Sequence, residues 1–188
     1  MLLEAKRPVI SVNGNAAGLA ADELVKLAKA TGSRIEVNLF HRTRARMKKV
    51  IAQMEKAGAK NVLGLKADAR LSGIASERAN CTKEGIFSAD VVLVPLEDGD
   101  RAEALVSAGK KVIVIDLNPL SRSAKAATIT IVNELTRALP EMTALVPELS
   151  DPKVRRGALR SFDNERNRNA SLRLICARLE TLATEGKG

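Results

Sequence analysis

Short apolar runs rich in β-branched residues alternate along the chain with segments of helical period. The runs show almost no alternation of apolar and polar residues, which is typical of strands that are buried on both faces of a parallel sheet. Turn-forming residues lie between the runs and the helical segments. We predict six strands, at Val9–Val12, Ile35–Leu39, Asn61–Leu65, Asp90–Pro95, Lys111–Asp116 and Thr128–Val132.

Residues that commonly cap helices stand at the ends of the helical segments. Asp22, Asp100 and Asn133 are predicted N-caps, and Pro140 is predicted to interrupt the helix that follows Asn133. The stretch 66–88 shows neither period and is predicted to form a loop with a short helix. We predict helices over about 22–30, 44–57, 101–108, 133–139, 152–161 and 165–182.

The order of these elements predicts an α/β protein. Strands spaced by helices favour a Rossmann-like, mostly parallel sheet with helices on both faces, here followed by a C-terminal helical extension. The length of 188 residues suits one domain with a small appendage. We therefore expect a nucleotide- and substrate-binding domain at 1–150 and the helical extension at 151–188.

The charge balance favours an anionic partner. Lys and Arg number 31 against 22 acidic residues, a net charge of +9 that suits nucleic acid, a phosphorylated small molecule or merely a solvated basic surface. Three Phe and no Trp or Tyr count against nucleic acid bound by base stacking, and no nucleic-acid module is recognisable. The two cysteines lie far apart, and no apolar run approaches the roughly 18 residues of a membrane span. We expect a cytoplasmic protein without membrane or nucleic-acid partners.

Polar and charged residues follow four of the predicted strands. In open α/β sheets, ligands bind at the carboxyl ends of the strands, so these residues are candidates for a site, although turns also favour Asn, Asp and Gly. Arg42, Arg101 and Arg122 are candidates for binding phosphate charge. The other residues at these strand ends are Asn13, Asn15, Asn38, His41, Glu97, Asp98, Asp100, Asp116, Leu117 and Asn118.

The pattern excludes several common chemistries. A glycine-rich dinucleotide fingerprint and a P-loop are both absent, and no Ser-His-Asp or Cys-His arrangement suggests covalent catalysis. The acidic cluster of Glu97, Asp98 and Asp100 could hold Mg²⁺ on substrate phosphates. The alternative is that Asp100 caps a helix while Asp98 shapes a turn, so no direct metal ligand is assigned.

Five ordered blocks resemble the archaeal-type 4-phosphopantoate–β-alanine ligases, also called phosphopantothenate synthetases. The resemblance runs from Pro8 to about Pro140 and more weakly into 162–164. The blocks are S-V-N-G-N (Ser11–Asn15), E-V-N-L-F-H-R-T (Glu36–Thr43), V-P-L-E-D-G-D-R (Val94–Arg101), I-D-L-N-P-L-S-R (Ile115–Arg122) and T-I-T-I-V (Thr128–Val132).

The resemblance implies an ATP-dependent, AMP-forming carbon–nitrogen ligase of coenzyme A biosynthesis, with a Rossmann-like fold. Such a ligase joins 4-phosphopantoate and β-alanine into 4-phosphopantothenate through an acyl adenylate, with ATP and Mg²⁺ as cofactors, and is a homodimer. The implied nucleotide contacts are Asp116, Leu117, Asn118, Arg122, Ser123, Glu134 and Leu135. Candidates for substrate binding are Asn13, Asn15, Asn38, His41, Arg42, Asp98, Asp100 and Arg101, and no catalytic residue is assigned.

Two departures from the family pattern qualify this expectation. Family members commonly read Asp-Asn and an apolar residue after the sixth strand, where this chain has Asn133-Glu134-Leu135. The family also has a helical, arginine-bearing segment before the first strand, of which Met1–Arg7 matches only the end, so a ligase lacking this segment is expected. The alternatives are a non-catalytic nucleotide-binding module and, with less support, a nucleic-acid-binding protein.

Overall fold

The apolar runs form the central sheet of the protein. The computed structural model describes residues 1–96 and 99–185. Within them, a five-stranded parallel sheet has the order β2-β1-β5-β6-β7, and a second sheet pairs β3 with β4 antiparallel. The strands are β1 Pro8–Val12, β2 Arg34–Val37, β3 Ala69–Arg70, β4 Asn80–Cys81, β5 Val91–Val94, β6 Lys111–Ile115 and β7 Ile129–Ile131.

Helices cover both faces of the large sheet, which confirms the predicted fold class. α1 and α5 pack on one face over an aliphatic core, and α3 and α4 pack on the other. In the described ranges, none of the helices has the length and hydropathy to cross a membrane. The helices are α1 Gly14–Thr31, α2 Arg44–Lys56, α3 Gly99–Ser107, α4 Arg122–Ala126, α5 Leu135–Ala144, α6 Pro152–Ser161 and α7 Asn164–Glu185.

The predicted strand at 61–65 is wrong, because only Leu63 pairs with the sheet. Its amide and carbonyl bond to Ile35 and Val37 of β2 at 2.9 Å each, which makes a single parallel bridge. Asn61 and Gly64 on either side have positive φ values of 52° and 113°. Extended pairing cannot continue through such backbone, so the run contributes one bridge to the sheet edge.

Helix α1 begins well before the predicted cap at Asp22. Asn13 is the N-cap, and its side-chain oxygen accepts a hydrogen bond from the amide of Ala16 at 2.8 Å. The first turns consist largely of Gly and Ala, which carry little periodic signal, and Ala20 departs from helical geometry at φ −149°. The first turn of α1 therefore starts directly at the end of β1.

Two further helix boundaries differ from the prediction. α3 begins at Gly99, so Asp100 lies inside the first turn instead of capping the helix. α5 is capped by Glu134 in place of Asn133 and continues past Pro140 to Ala144. Its buried face packs against α1, and this packing outweighs the hydrogen bond that the exposed proline removes.

The segment 66–88, predicted as loop with a short helix, covers the sheet in place of a regular crossover helix. Its strands β3 and β4 are joined through a 3₁₀ turn at Glu77–Ala79, and a second such turn lies at Ile86–Ser88. Leu71, Ile74 and Cys81 enter the core with residues of β5 and β6. The segment therefore lies on the face of the sheet that also carries α3.

Two asparagines of α7 bind the exposed edge of β7. The Asn164 Oδ1 accepts from the amide of Thr130 at 2.7 Å, and its Nδ2 donates to the carbonyl of Ala127 at 2.9 Å. The Asn167 Nδ2 donates to the carbonyl of Thr130 at 2.8 Å. These side chains satisfy an edge strand that would otherwise expose backbone groups. The domain division at residue 150 stays a prediction.

We expect Asn164→Ala to lower the free energy of unfolding by about 2 kcal/mol, because it leaves backbone groups of the β7 edge without their side-chain partner. Urea denaturation followed by circular dichroism measures the change. Asn169→Ala, on the same helix, is the matched control and should differ from wild type by less than about 0.5 kcal/mol. Equal losses in the two variants would refute the role of Asn164.

Candidate functional site

The carboxyl ends of the parallel strands form one edge, and the strand order reverses there between β1 and β5. Ligands of doubly wound sheets bind at such a reversal. Asn38 follows β2, Asn13 follows β1 and Asp116 follows β6. Since neighbouring strands lie about 4.8 Å apart, the ends of β2 and β6 are separated by about 14 Å. The predicted site residues after these strands therefore line a single edge.

Asp116 fixes the shape of the loop after β6. Its buried carboxylate accepts a hydrogen bond from the amide of Asn118 at 2.9 Å and another from the hydroxyl of Ser121. The Ser121 oxygen in turn accepts from the amide of Ala124 at 2.9 Å and caps α4. Leu117 is left largely exposed at the tip. The loop is therefore held by the hydrogen bonds of Asp116 and Ser121, and it exposes the apolar side chain of Leu117 at its tip.

Arg122 joins α4 to α3 through two carboxylates. Its guanidinium lies 2.7 Å from the Asp100 carboxylate and 2.6 Å from that of Glu103. The hydrogen bond with Arg122 lowers the pKa of Glu103, and the two carboxylates raise the pKa of Arg122. These exposed pairs are weak in water, so a phosphate could replace them. Asp100 is here a partner of Arg122.

The predicted pair after β7 has two different environments. The Glu134 carboxylate accepts from the amides of Thr136 at 2.8 Å and Arg137 at 3.3 Å, as the N-cap of α5. Hydrogen bonding from Thr136 is the main cause that lowers the pKa of Glu134. Leu135 is buried in the core against α1. A ligand beside Leu135 would therefore meet its backbone and not its side chain.

Asn38 and Arg101 bind each other inside the protein. Arg101 is 1% exposed, and its Nη1 donates to the Ser11 hydroxyl at 2.7 Å and to the Asn38 Oδ1 at 3.1 Å. The Asn38 Nδ2 donates to the carbonyls of Arg78 and Asn80 at 3.1 Å each. Burial lowers the pKa of Arg101 to about 10, although the Glu36 charge opposes this shift. These hydrogen bonds connect β1, the end of β2 and α3 beneath the strand-end edge.

Glu36 is a buried carboxylate that the sequence reasoning missed. It accepts hydrogen bonds from the Thr82 amide at 2.8 Å, the Thr82 hydroxyl at 2.9 Å and the Ile86 amide at 2.7 Å. Burial raises its pKa, against the opposing effect of the two amides. A Cβ on Gly85 would lie 2.0 Å from its Oε2. A charged residue inside a buried strand was the available signal.

The remaining candidates at the ends of β1 and β2 have different environments. Phe40 packs edge-on against exposed His41 with ring centroids 4.8 Å apart, and the Arg78 guanidinium lies 5.7 Å from the Phe40 centroid. Arg42 donates a hydrogen bond to the carbonyl of Gly64. Asn15 is exposed in the first turn of α1, while the side chain of Asn13 caps that helix.

The acidic cluster that the sequence offered as a possible metal site is described only in part. Glu97 and Asp98 of the predicted acidic cluster lie outside the described residues. Over 1–96 and 99–185, no group of three or more His, Cys, Asp or Glu side chains is arranged to hold a metal ion. Cys81 is buried in the core and Cys176 is exposed on α7, and both are free thiols.

Comparison with known proteins identifies the family. The sequence model of the family described as phosphopantothenate/pantothenate synthetase matches residues 1–178. The chain belongs to this family. Proteins named 4-phosphopantoate–β-alanine ligase are 50% identical in Methanosarcina mazei, 47% in Thermococcus onnurineus and 46% in Thermococcus kodakarensis. Each match covers 98% of this chain and 73%, 72% and 72%, respectively, of the relative. The resemblance predicted from the five sequence blocks is confirmed.

In this member of the family, the strand-end edge has two halves. The β6–β7 half carries the Asp116 loop, Arg122 and the cap of α5. The β1–β2 half carries Asn13, Asn38 and the Phe40–His41 pair, with segment 66–88 packed beside it. The first half contains the residues predicted to contact the nucleotide, and the second most of those predicted to contact substrate. Both assignments stay predictions.

Proposed function

We propose that the protein is an ATP-dependent ligase of coenzyme A biosynthesis that joins 4-phosphopantoate to β-alanine, with release of AMP and diphosphate. The observation that carries this proposal is the shared name of relatives that are 46–50% identical over 98% of the chain. The arrangement of polar residues along one sheet edge supports it, because this edge is where doubly wound folds bind nucleotides and small substrates.

The two halves of the edge suit adenylate chemistry. The substrate carboxylate attacks the α-phosphorus of ATP, and the bond to the leaving diphosphate breaks. The amine of β-alanine then attacks the acyl carbon, AMP leaves, and a proton is released. If the nucleotide occupies the β6–β7 half, the acid substrate lies on the β1–β2 half with its carboxylate turned towards β5. Alignment and charge stabilisation suffice for both steps, so the protein requires no nucleophile.

On this proposal, ATP binds the β6–β7 half, because the loop after β6 offers backbone groups held by Asp116 and Arg122 offers a forked cation. In the same proposal, Mg²⁺ binds the substrate phosphates and keeps several of its waters, as this ion usually does. The ion would neutralise charge on the phosphates. On this proposal, the enzyme acts in the cytoplasm on small molecules and binds neither membrane nor nucleic acid.

Incubation with 4-phosphopantoate, β-alanine, ATP and Mg²⁺ should release AMP and form 4-phosphopantothenate. Chromatography of the nucleotides distinguishes the alternatives. ADP in place of AMP would indicate an acyl phosphate intermediate. If neither AMP nor ADP is formed, the ligase function is refuted. Titration calorimetry with ATP then tests the second candidate, because binding without turnover would support a non-catalytic nucleotide-binding module.

We also propose a homodimer that forms through α7. None of the side chains of this helix is buried in the single chain. Leu172, Ile175, Leu179 and Leu182 follow one another at spacings of three, four and three residues, which is the seam of a helix that pairs with another helix. Ile175, Leu179 and Leu182 are 42%, 59% and 47% exposed, so the stripe is available for a partner.

The double variant Ile175→Glu with Leu179→Glu should weaken this dimer by at least about 100-fold, because it places charges in the apolar seam. Sedimentation equilibrium measures the dissociation constant. Leu174→Glu is the matched control, since Leu174 is 73% exposed but lies outside the stripe, and it should leave the dimer intact. A monomeric wild type, or equal weakening by the control, would contradict the proposed seam.

A further inference from the structure

Two carboxylates of α3 occupy the guanidinium of Arg122 in this structure. Its Nη1 atom lies 2.7 Å from the Asp100 Oδ1. Its Nε atom donates to the Glu103 Oε1 at 3.1 Å, and its Nη2 atom donates to the Glu103 Oε2 at 2.6 Å. The contact with Glu103 uses the same fork of N–H groups with which an arginine binds a phosphate. A nucleotide phosphate can therefore bind this fork only if the Glu103 carboxylate leaves it.

The position of Glu103 draws the guanidinium away from the strand-end edge. Arg122 is the first residue of α4 and Asp100 lies in the first turn of α3, so both are close to this edge. Glu103 is three residues further along α3, which corresponds to about 4.5 Å of helix. A Cβ added to Gly99 would lie 3.0 Å from the Cβ of Arg122. The start of α3 therefore packs closely against the base of the arginine side chain, while its charged end lies against Glu103.

The environment of the contact allows an anion to replace Glu103. Arg122 and Asp100 are exposed and Glu103 is about half exposed, and a cavity of about 410 Å³ opens beside all three. Exposed ion pairs contribute little free energy in water, so the contact is easily exchanged. One guanidinium stands against two carboxylates, which leaves a surplus of negative charge next to the β6–β7 half. The hydrogen bond from Arg122 lowers the pKa of Glu103, so the carboxylate is ionised at neutral pH.

We propose that Glu103 competes with the phosphates of ATP for Arg122 and thereby lowers the affinity of the protein for the nucleotide. This inference rests on the proposed function, in which ATP binds the β6–β7 half. In the protein without nucleotide, Glu103 holds the guanidinium on α3, and a phosphate of ATP replaces the carboxylate on binding. After the reaction, Glu103 binds the guanidinium again, which favours release of the phosphorylated products.

Glu103→Gln tests the competition, because it keeps the size of the side chain and removes its charge. In calorimetric titration with ATP and Mg²⁺, its dissociation constant should be about fivefold lower than that of wild type, since an exposed competing ion pair is removed. A variant that merely disturbs the structure would bind ATP more weakly, so the direction of the change separates the two roles. Glu55→Gln is the matched control. It makes the same change of net charge at an exposed position on α2, and it should bind ATP as wild type does.

The same substitution in a protein without the arginine shows whether Glu103 acts through Arg122. Arg122→Met should weaken ATP binding by about tenfold, because a forked contact with phosphate is lost. Adding Glu103→Gln to Arg122→Met should then change the dissociation constant by less than about twofold.

Three results would overturn the competition. They are an ATP affinity of Glu103→Gln that is equal to or weaker than that of wild type, an unchanged affinity of Arg122→Met, and an equal gain from Glu103→Gln with and without Arg122. The AMP-release assay tests the proposed function separately, because the titrations contain no acid substrate. Binding of ATP without release of AMP would refute the ligase and leave the competition to be decided by the titrations. A wild type that does not bind ATP would refute both.

Discussion

Replacing Glu36 with alanine should lower the free energy of unfolding by about 4 kcal/mol, because three buried donors lose their acceptor together. These donors are the amide and hydroxyl of Thr82 and the amide of Ile86, which the carboxylate binds at 2.7–2.9 Å. Glu36 is fully buried and Thr82 is nearly so, which leaves water little access to replace the carboxylate. Urea denaturation at neutral pH measures the loss.

Two variants separate this loss from a general effect of removing charge. Glu84→Ala removes an exposed carboxylate from the same segment, paired with Arg34 at 3.1 Å, and should cost less than about 0.5 kcal/mol. Glu36→Gln keeps one acceptor oxygen, so its free energy of unfolding should lie between those of Glu36→Ala and wild type. If Glu36→Ala remains within about 1 kcal/mol of wild type, apolar packing alone holds residues 82–86.

The same carboxylate should give stability a particular pH dependence. Burial raises the pKa of Glu36 in the folded protein above its ordinary value of 4.5. The folded state therefore keeps this proton at a pH where the unfolded chain has lost it. The part of the stability that depends on this proton is fully present below pH 4.5 and is lost as the pH rises through the folded pKa, whereas the hydrogen bonds from Thr82 and Ile86 to the carboxylate remain. The difference in unfolding free energy between wild type and Glu36→Gln should decline across that range.

The fold could be predicted from the sequence where burial determines the pattern of apolar residues. β5 is buried on both faces and appears as an unbroken apolar run, and β1 and β6 are apolar apart from Ser11 and Lys111. The predicted bounds of strands and helices were wrong where backbone conformation, and not burial, determines the structure. The positive φ of Asn61 and Gly64 reduced an apolar run to one bridge, and a first turn built from small residues hid the start of α1 at Gly14.

The location of the candidate site was predictable, whereas the partners of its residues were not. Parallel strands bring their carboxyl ends to one edge, so residues after them meet whatever their contacts are. Asn38 and Arg101 both follow this rule, yet they bind each other, and Asn38 also binds the backbone of segment 66–88. A distant buried partner leaves no local periodicity, and for this reason Glu36 was not predicted from the sequence.

Asp116→Ala should lower kcat/KM for ATP by about 100-fold if the loop after β6 holds the nucleotide. The Asp116 carboxylate binds the amide of Asn118 and the hydroxyl of Ser121, and Ser121 also caps α4. Two hydrogen bonds to a charged group contribute about 3 kcal/mol together, and a loss of 2.7 kcal/mol corresponds to a factor of about 100. Without these two hydrogen bonds, part of the free energy of ATP binding would be needed to order the loop, and the affinity for ATP would fall.

A graded series makes the test of this loop sharper. Asp116→Asn keeps an acceptor for the Asn118 amide and can donate to the Ser121 oxygen. Its kcat/KM for ATP should therefore fall by only about tenfold. Asp22→Ala, at an exposed position on α1, should behave as wild type. The AMP-release assay gives kcat and KM, and calorimetry gives ATP affinity without turnover. Wild-type affinity in Asp116→Ala, with its fold intact by circular dichroism, would exclude this loop from the nucleotide site. Weaker ATP binding with unchanged affinity for 4-phosphopantoate would place the nucleotide on the β6–β7 half of the edge.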